Sequence, residues 1–402
     1  MKNIAIIAEF NPLHNGHKYL IDEVRSRYNP DNIIVVMSGN FVQRGDLAII
    51  DKWRRAEAAI HCGANLVLEI PVPYAFQNAQ VFAEGALAVI SKLNIDRICF
   101  GTESEDMEDL VKFADLSTNE TDDFRQSLQT SLKKGVSFPK AISMSLDEGM
   151  PADLLSPNNI LAIEYMKTIN KRQYEITASH IKRKGSPYNS DQIIDNLSSA
   201  TAIRKALFNG LNDDVIKNVP AASFKLLNDF FQENNGYNSM DRLFDILKYK
   251  IISSDPSSLS NIYDMAEGLE NRIIKSVDSV VNLDALIMTI KSKRYTYLRI
   301  RRILLNILLD LTNDTFNTLS VNDITNVRVL ATDKNGRCFI RENSGNLKFL
   351  TKKSDFDRLT ATATDITINM LTTYSTKIYY LAINPMLLNN ESKMNPFVKK
   401  DG

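Results

Sequence analysis

The chain has four histidines, and His14 and His17 stand in one short turn with Gly16 between them. The turn is the end of the run Glu9-Phe10-Asn11-Pro12-Leu13-His14-Asn15-Gly16-His17. Each residue type has a use if phosphates sit here. Pro12 stiffens the turn. Gly16 removes a side chain and lets backbone approach a ligand. A helix starting at about Lys18 would point its unpaired N–H groups at the site, which suits an anion. The two imidazoles supply donors for charge that builds on an α-phosphate and on departing pyrophosphate. Alone, such a pair could be ordinary loop histidines beside a capping Asn15. A zinc site lacks a third ligand at metal spacing, apart from Glu9. What favours the nucleotide reading is the position of the turn, between the first strand and the first helix.

Those elements follow from apolar periodicity. Residues 4–8, 33–37, 66–69 and 98–100 read as short buried strands, and residues 19–28, 53–61 and 79–93 as helices between them. Strand–helix alternation implies an α/β fold with a parallel sheet and right-handed crossovers. Ligands of such sheets lie beyond the C-terminal ends of the strands. This texture runs to about residue 210. Residues 211–320 are rich in helical periodicity. In 297–311, Ile300, Ile303, Leu304, Ile307, Leu308 and Leu311 fall on one helix face. Residues 321–402 change again. Runs 327–331 and 338–341 flank Asn335-Gly336, a dipeptide suited to a tight hairpin. With strand-like runs 347–351 and 377–381 they suggest a small mixed or mostly β module, and residues 389–402 look frayed.

Lys plus Arg equals Asp plus Glu at 48 each, so any nucleic-acid site must be a local patch. Apolar residues are 44% and charged residues 24%, ordinary values for a globular chain. Cys62, Cys99 and Cys338 are too few and too far apart for a disulfide framework, and read as buried reduced thiols. No apolar run approaches a membrane span, and the short N-terminal run reads as a strand rather than a signal segment. A soluble, cytoplasmic protein is expected.

A second candidate run lies far downstream: Ser198-Ser199-Ala200-Thr201-Ala202-Ile203-Arg204. Alone it is an ordinary capped helix start. Paired with Asn11-Pro12-x-His14-x-Gly16-His17, it resembles the second signature of the HxGH nucleotidyltransferase superfamily, kin to class I aminoacyl-tRNA synthetases. In that superfamily the hydroxyls and the Arg grip the β- and γ-phosphates. Ala200 replaces a Ser common in relatives, so the resemblance rests those contacts on Ser199, Thr201 and Arg204.

The likeness narrows over nearly the whole chain. MSGNFVQRG from Met37 to Gly45, DKWRR from Asp51, FGTE from Phe100, SPNNIL from Ser156, IKRKG from Ile181, EGLENR from Glu267 and SKRYT from Ser292 resemble, in order, the bacterial tRNA(Met) cytidine acetate ligase family. The resemblance implies a Rossmann-like ATP and adenylate domain over 1–210, a helical tRNA-binding region over 211–320 and a small α/β module over 321–402. It implies that ATP and acetate give acetyl-adenylate and pyrophosphate, with Mg²⁺ accompanying the nucleotide. The N4 amine of the wobble cytidine of elongator tRNA(Met) then takes the acetyl group, giving N4-acetylcytidine. Residues implied for ATP are Ile7, Ala8, Glu9, Phe10, Asn11, His14, Gly16, His17, Gly101, Asn158, Arg183, Ser199, Thr201 and Arg204, with His14 and His17 catalytic. Arg44, Lys52 and Arg55 are further candidates for phosphate or RNA. The chemistry is sound from below: free acetate is unreactive, the cytosine amine is a weak nucleophile, and a mixed anhydride with AMP supplies the leaving group.

One segment suits an RNA partner. Residues 291–302 hold six cations and two tyrosines and no acid. Lys291, Lys293, Arg294, Arg299, Arg301 and Arg302 could neutralise phosphates, and Tyr295 could stack on an unpaired base. A solvated helix face is the plain alternative. Two rival functions stay open. An adenylyltransferase acting on a small mononucleotide or phosphopantetheine-like substrate would leave the last half of the chain without a role. A non-catalytic RNA-binding protein would not need His14, Gly16, His17 and Arg204 intact.

Overall fold

The computed structural model describes residues 2–118, 122–133, 154, 156–184, 197–210, 212–357 and 361–400. Gly185, the last residue of the IKRKG run, lies outside them.

Short β-branched runs make the sheet. β1 (Asn3–Ala8), β2 (Asn32–Met37), two-residue strands β3 (Phe41–Val42) and β4 (Asp46–Leu47), β5 (Leu66–Glu69), β6 (Arg97–Thr102) and β7 (Thr177–Lys182) appear in chain order. β3 and β4 form a separate antiparallel ribbon. β8 (Asn326–Thr332), β9 (Lys348–Leu350) and β10 (Phe397–Val398) complete the set. The main sheet runs β10-β8-β5-β2-β1-β6-β7, with β9 also on β8. Every pairing in it is parallel except β5 with β8.

Alternation along the strands sorts side chains into two layers. Ile4, Ile6, Ile33, Val35 and Met37 pack with Ile21 and Val24 of α1 (Asn15–Tyr28) and with Trp53 and Ile60 of α2 (Lys52–His61). Ala5, Ile34, Val36, Leu66 and Leu68 face the other way. They meet α3 (Ala79–Ile90) and α4 (Pro157–Arg172). Chain order places β2 and β5 on one side of β1 and then returns β6 to its other side. That reversal opens a crevice beyond the C-terminal ends of β1 and β6, where the HNGH turn begins.

The helical zone has its own core, with Ile300, Ile303, Leu304, Ile307 and Leu308 of α6 (Tyr297–Leu308) at its centre. α5 (Ala200–Phe208) precedes that zone. The same core takes Phe41, Leu47 and Phe76 from the first zone and Tyr379 and Tyr380 from the last.

Three expectations for the last zone are corrected. Asn335-Gly336 is no hairpin turn but the first turn of α7 (Lys334–Asn343), capped by Asp333, whose Oδ1 accepts from Gly336 N at 2.9 Å. The glycine is needed for close approach: a Cβ there would lie 2.1 Å from the Asn65 carbonyl oxygen. Residues 377–381 end a long helix, α8 (Ala363–Leu381). The tail does not fray over residues 390–398: a helical turn, Asn390–Lys393, and β10 dock it. Glu391 is buried and reaches Lys52 Nζ at 2.6 Å and Arg328 Nε at 3.3 Å. A pairing with residues far away in sequence holds this segment, and no local pattern announces it. β8 is buried along its length and sits inside the main sheet rather than in a sheet of its own. Cys62 and Cys99 are buried thiols, whereas Cys338, on α7, is exposed.

Candidate active site

β1 delivers the chain to the crevice, and the turn is tightly determined. Phe10 takes φ +48°, a sparsely populated conformation for a non-glycine residue. Helix α1 begins at Asn15, earlier than the expected Lys18, because His14 caps it: Nδ1 of His14 accepts from Gly16 N at 3.0 Å. His17 reciprocates, its Nδ1 accepting from His14 N at 3.3 Å. Gly16 is bare for the sake of that cap, since a Cβ would come 2.9 Å from His14 Cε1. The two rings stack at 3.8 Å between centroids, and Phe10 abuts His17 edge-on at 5.0 Å.

These bonds fix the tautomers. Each Nδ1 is an acceptor, so each Nε2 carries the proton and is a donor. Burial, then the neighbouring His17, Arg183 and Arg204, hold His14 well below the ordinary histidine range. Burial and Arg183 lower His17 to about 3. The corner therefore offers two neutral, oriented N–H donors at neutral pH.

The second signature closes on the first. Ser199 caps α5, its Oγ accepting from Ala202 N at 3.1 Å. From the next turn Arg204 donates to the Asn11 carbonyl at 2.7 Å and to Thr201 Oγ1 at 3.2 Å. Arg44, from the ribbon, donates to the same Thr201 oxygen at 3.3 Å. Two helix N-termini and two guanidinium groups thus converge on one space, a strongly anion-attracting arrangement. Ile7, Ala8, Glu9, Phe10, Asn11, His14, His17, Gly101, Asn158, Arg183, Ser199, Thr201 and Arg204 all line that single cavity. Gly16 lines an adjoining recess, shared with His14, His17, Gly101, Arg183 and Ser199.

Other residues on or behind this wall have no role assigned from the sequence. Glu103 accepts from Asn158 Nδ2 and from Ser156 Oγ at 2.8 Å, and lies 3.9 Å from Arg183 Nε. It orients both predicted nucleotide contacts. Gly101 leaves space for the Arg183 stem, whose Cγ would be 3.1 Å from a Cβ at 101. Tyr165, Leu161, Phe82 and Phe100 supply apolar surface, and Gln43 and Asp46 add to the rim.

Lys52 and Arg55 do not face this space. Lys52 is fully buried and paired with Glu69 at 2.7 Å and with Glu391. Arg55 is equally buried and donates to the carbonyls of Glu9, Ser38, Gly39 and Ile50. It clamps the loops that follow β1 and β2, and its donors are spent on backbone.

The basic segment is divided by the fold. Lys291, Lys293 and Arg294 are exposed. Arg299 pairs with Asp264 at 2.8 Å, and Arg301 with Asp46 at 2.6 Å. Burial lowers Arg302 to about 10. Tyr295 is buried in the helical core, with the guanidiniums of Arg294 and Arg299 against its ring at 5.6 and 5.7 Å, and so presents no open face to a base. Among the described residues, no group of three or more His, Cys, Asp or Glu is arranged to hold a metal, and no helix is long and apolar enough to cross a membrane.

A parallel sheet with a buried, cation-rimmed HNGH corner at its switch point defines a nucleotidyltransferase, and residues 1–393 match the model of the HIGH Nucleotidyl Transferase family. The chain is 37% identical to the tRNA(Met) cytidine acetate ligase of Caldanaerobacter subterraneus subsp. tengcongensis over 99% of its own length and 100% of that protein. It is 39% identical to the ligase of the same name from Clostridium novyi over 85% of this chain and 87% of that one. The crystal structure of Thermotoga maritima TmcAL bound with alpha-thio ATP superposes with a TM-score of 0.92 at 28% identity, covering all of both chains. The chain belongs to the tRNA(Met) cytidine acetate ligase family.

Proposed function

We propose that the protein activates acetate with ATP as acetyl-adenylate, releasing pyrophosphate, and transfers the acetyl group to N4 of the wobble cytidine, position 34, of elongator tRNA(Met). The observation that carries this reading is the Arg204 bond to the Asn11 carbonyl, which locks both signature runs around one cavity. The family relatives favour it over an adenylyltransferase of small mononucleotides.

The residues divide the first step among them. An acetate oxygen attacks the α-phosphorus, and negative charge grows on the equatorial oxygens and on pyrophosphate. His14 and His17 meet that charge as N–H donors that need no proton to be moved first. The N-termini of α1 and α5, with Arg44, Thr201 and Arg204, hold the outer phosphates. Adenine and ribose fall to the backbone of the strand end at Ile7–Phe10, to Gly101 and to the Asn158–Glu103–Arg183 group. Mg²⁺ accompanying the nucleotide would offset phosphate charge beside Arg44, Thr201 and Arg204. The exposed Lys291, Lys293 and Arg294 are the cations of the basic segment left for the tRNA backbone.

The test is nucleoside mass analysis of tRNA incubated with the protein, ATP and isotopically labelled acetate. Labelled N4-acetylcytidine, formed with AMP and pyrophosphate, is expected. Unmodified tRNA alongside adenylylation of a mononucleotide would place the chain with the rival enzymes.

A further inference from the structure

The cavity is chemically two-sided. Toward α1 and α5 its wall is donors: His14, His17, Arg204 and, from the ribbon, Arg44. Toward α3 and α4 it is Phe82, Phe100, Leu161 and Tyr165, with Glu9, whose charge acts on Tyr165, also in the lining. A carboxylate repels a triphosphate, so the Glu9 side chain faces a group other than the phosphate chain.

Glu9 is held for a purpose. One oxygen, Oε1, accepts from Gln43 N at 2.6 Å, which fixes the side chain. Among the described residues no donor is bonded to the other oxygen. The Tyr165 hydroxyl, on the facing helix, likewise has no hydrogen-bond partner among them, while its ring packs on Phe100 at 5.5 Å. An apolar slot with one acceptor and one hydroxyl suits a flat heterocycle bearing an amine. It does not suit a phosphate chain.

The second half-reaction needs such an acceptor. As N4 of cytosine attacks the acetyl carbonyl carbon, the C–N bond forms and the bond from that carbon to the AMP oxygen breaks. AMP departs with that electron pair, and the nitrogen must shed a proton. We infer that Glu9 is the general base of acetyl transfer: its second oxygen takes the N4 proton from a cytosine seated between Glu9 and Tyr165. This inference rests on the ligase reading above.

The surroundings tune the group for that task. Burial raises the Glu9 carboxyl above its ordinary range, opposed by the Gln43 N–H and by the charges of Arg44, Arg204 and Arg55. The groups around it are thus Arg44 from the ribbon, Arg55 from α2, Arg204 from α5 and Tyr165 from α4, with neutral His14 and His17 in the adjoining turn. A raised carboxylate is a stronger base at neutral pH than an exposed one.

Glu9→Gln keeps the acceptor for Gln43 N and the shape, and removes the basicity. Two readouts separate the steps: acetate-dependent ATP–pyrophosphate exchange, and single-turnover transfer from preformed acetyl-adenylate to tRNA. The expected result is that E9Q loses about 100-fold more in transfer than in exchange. Wild-type transfer should rise with pH through an acid limb that E9Q lacks. Equal losses in the two steps, or a variant that keeps the limb, would overturn the assignment. Should E9Q fail to fold, the wild-type profile decides, because transfer that is flat from about pH 5 to 8 also overturns it. Wild-type protein that neither exchanges nor transfers would instead remove the ligase reading beneath.

Discussion

The HNGH corner and the basic segment look equally charged with purpose as strings of letters, and the fold treats them in opposite ways. At the corner both imidazoles are oriented by backbone and still face the cavity: His14 accepts from Gly16 N, His17 accepts from His14 N, and each keeps Nε2 for a ligand. In residues 291–302 the fold consumes charge. Arg299 and Arg301 are bound to Asp264 and Asp46, Tyr295 is buried, and three cations stay exposed. A count of cations measures a segment's capacity for RNA only after the acids brought to it by other elements have been subtracted.

The sharpest way to break this contrast is His17→Ala. Acetate-dependent exchange should fall about 100- to 1,000-fold or more, as when an oriented donor is removed from a transition state. Affinity for tRNA, measured by filter binding, should stay near wild type. Joint loss would make the corner structural. Next in size, Lys293→Glu with Arg294→Glu should weaken tRNA binding about 10- to 100-fold and flatten its salt dependence, with exchange retained. Arg301→Ala is the matched control. It should leave tRNA affinity close to wild type and lower the thermal midpoint, at a cost of about 1–2 kcal/mol for an unpaired, half-buried Asp46. Tight, unaltered tRNA binding in the first variant, or weak binding in the second, would reverse the division of the segment.

The smallest effect is on stability against pH. His14 and His17 have folded-state values below the unfolded one, so the unfolded chain takes up protons that the folded chain refuses. Folding stability should therefore fall as pH drops from about 6.5 toward 4, by at most about 1.4 kcal/mol per pH unit for each imidazole. His17→Asn should make denaturant midpoints less steep over that window.

How much was legible follows from where each signal lives. β1, β2, β5 and β6 were readable because apolar runs are local, and the phosphate end of the candidate site was readable because two contiguous runs converge on one cavity. β7 was missed, since Thr177–Lys182 alternates weakly on the edge of the sheet. Asn335-Gly336 misled because the dipeptide fits a hairpin, while Asp333, two residues upstream, decides for a helix by capping it. Lys52 and Arg55 passed for ligand contacts because nothing near them in sequence shows Glu391 or the carbonyls of residues 9, 38 and 39 closing on them. Glu103 and Tyr165 went unassigned for the converse reason: each becomes informative only through a partner on another element.

The central claim is that the corner built by Phe10, His14, Gly16 and His17 grips the phosphates of ATP. The most direct measurement is a crystal structure of this protein with a slowly hydrolysed ATP analogue. The expected result is a triphosphate within hydrogen-bond reach of His14 and His17 Nε2 and of Arg204, with the base toward Gly101 and Arg183. A nucleotide seated away from the N-termini of α1 and α5 would contradict it.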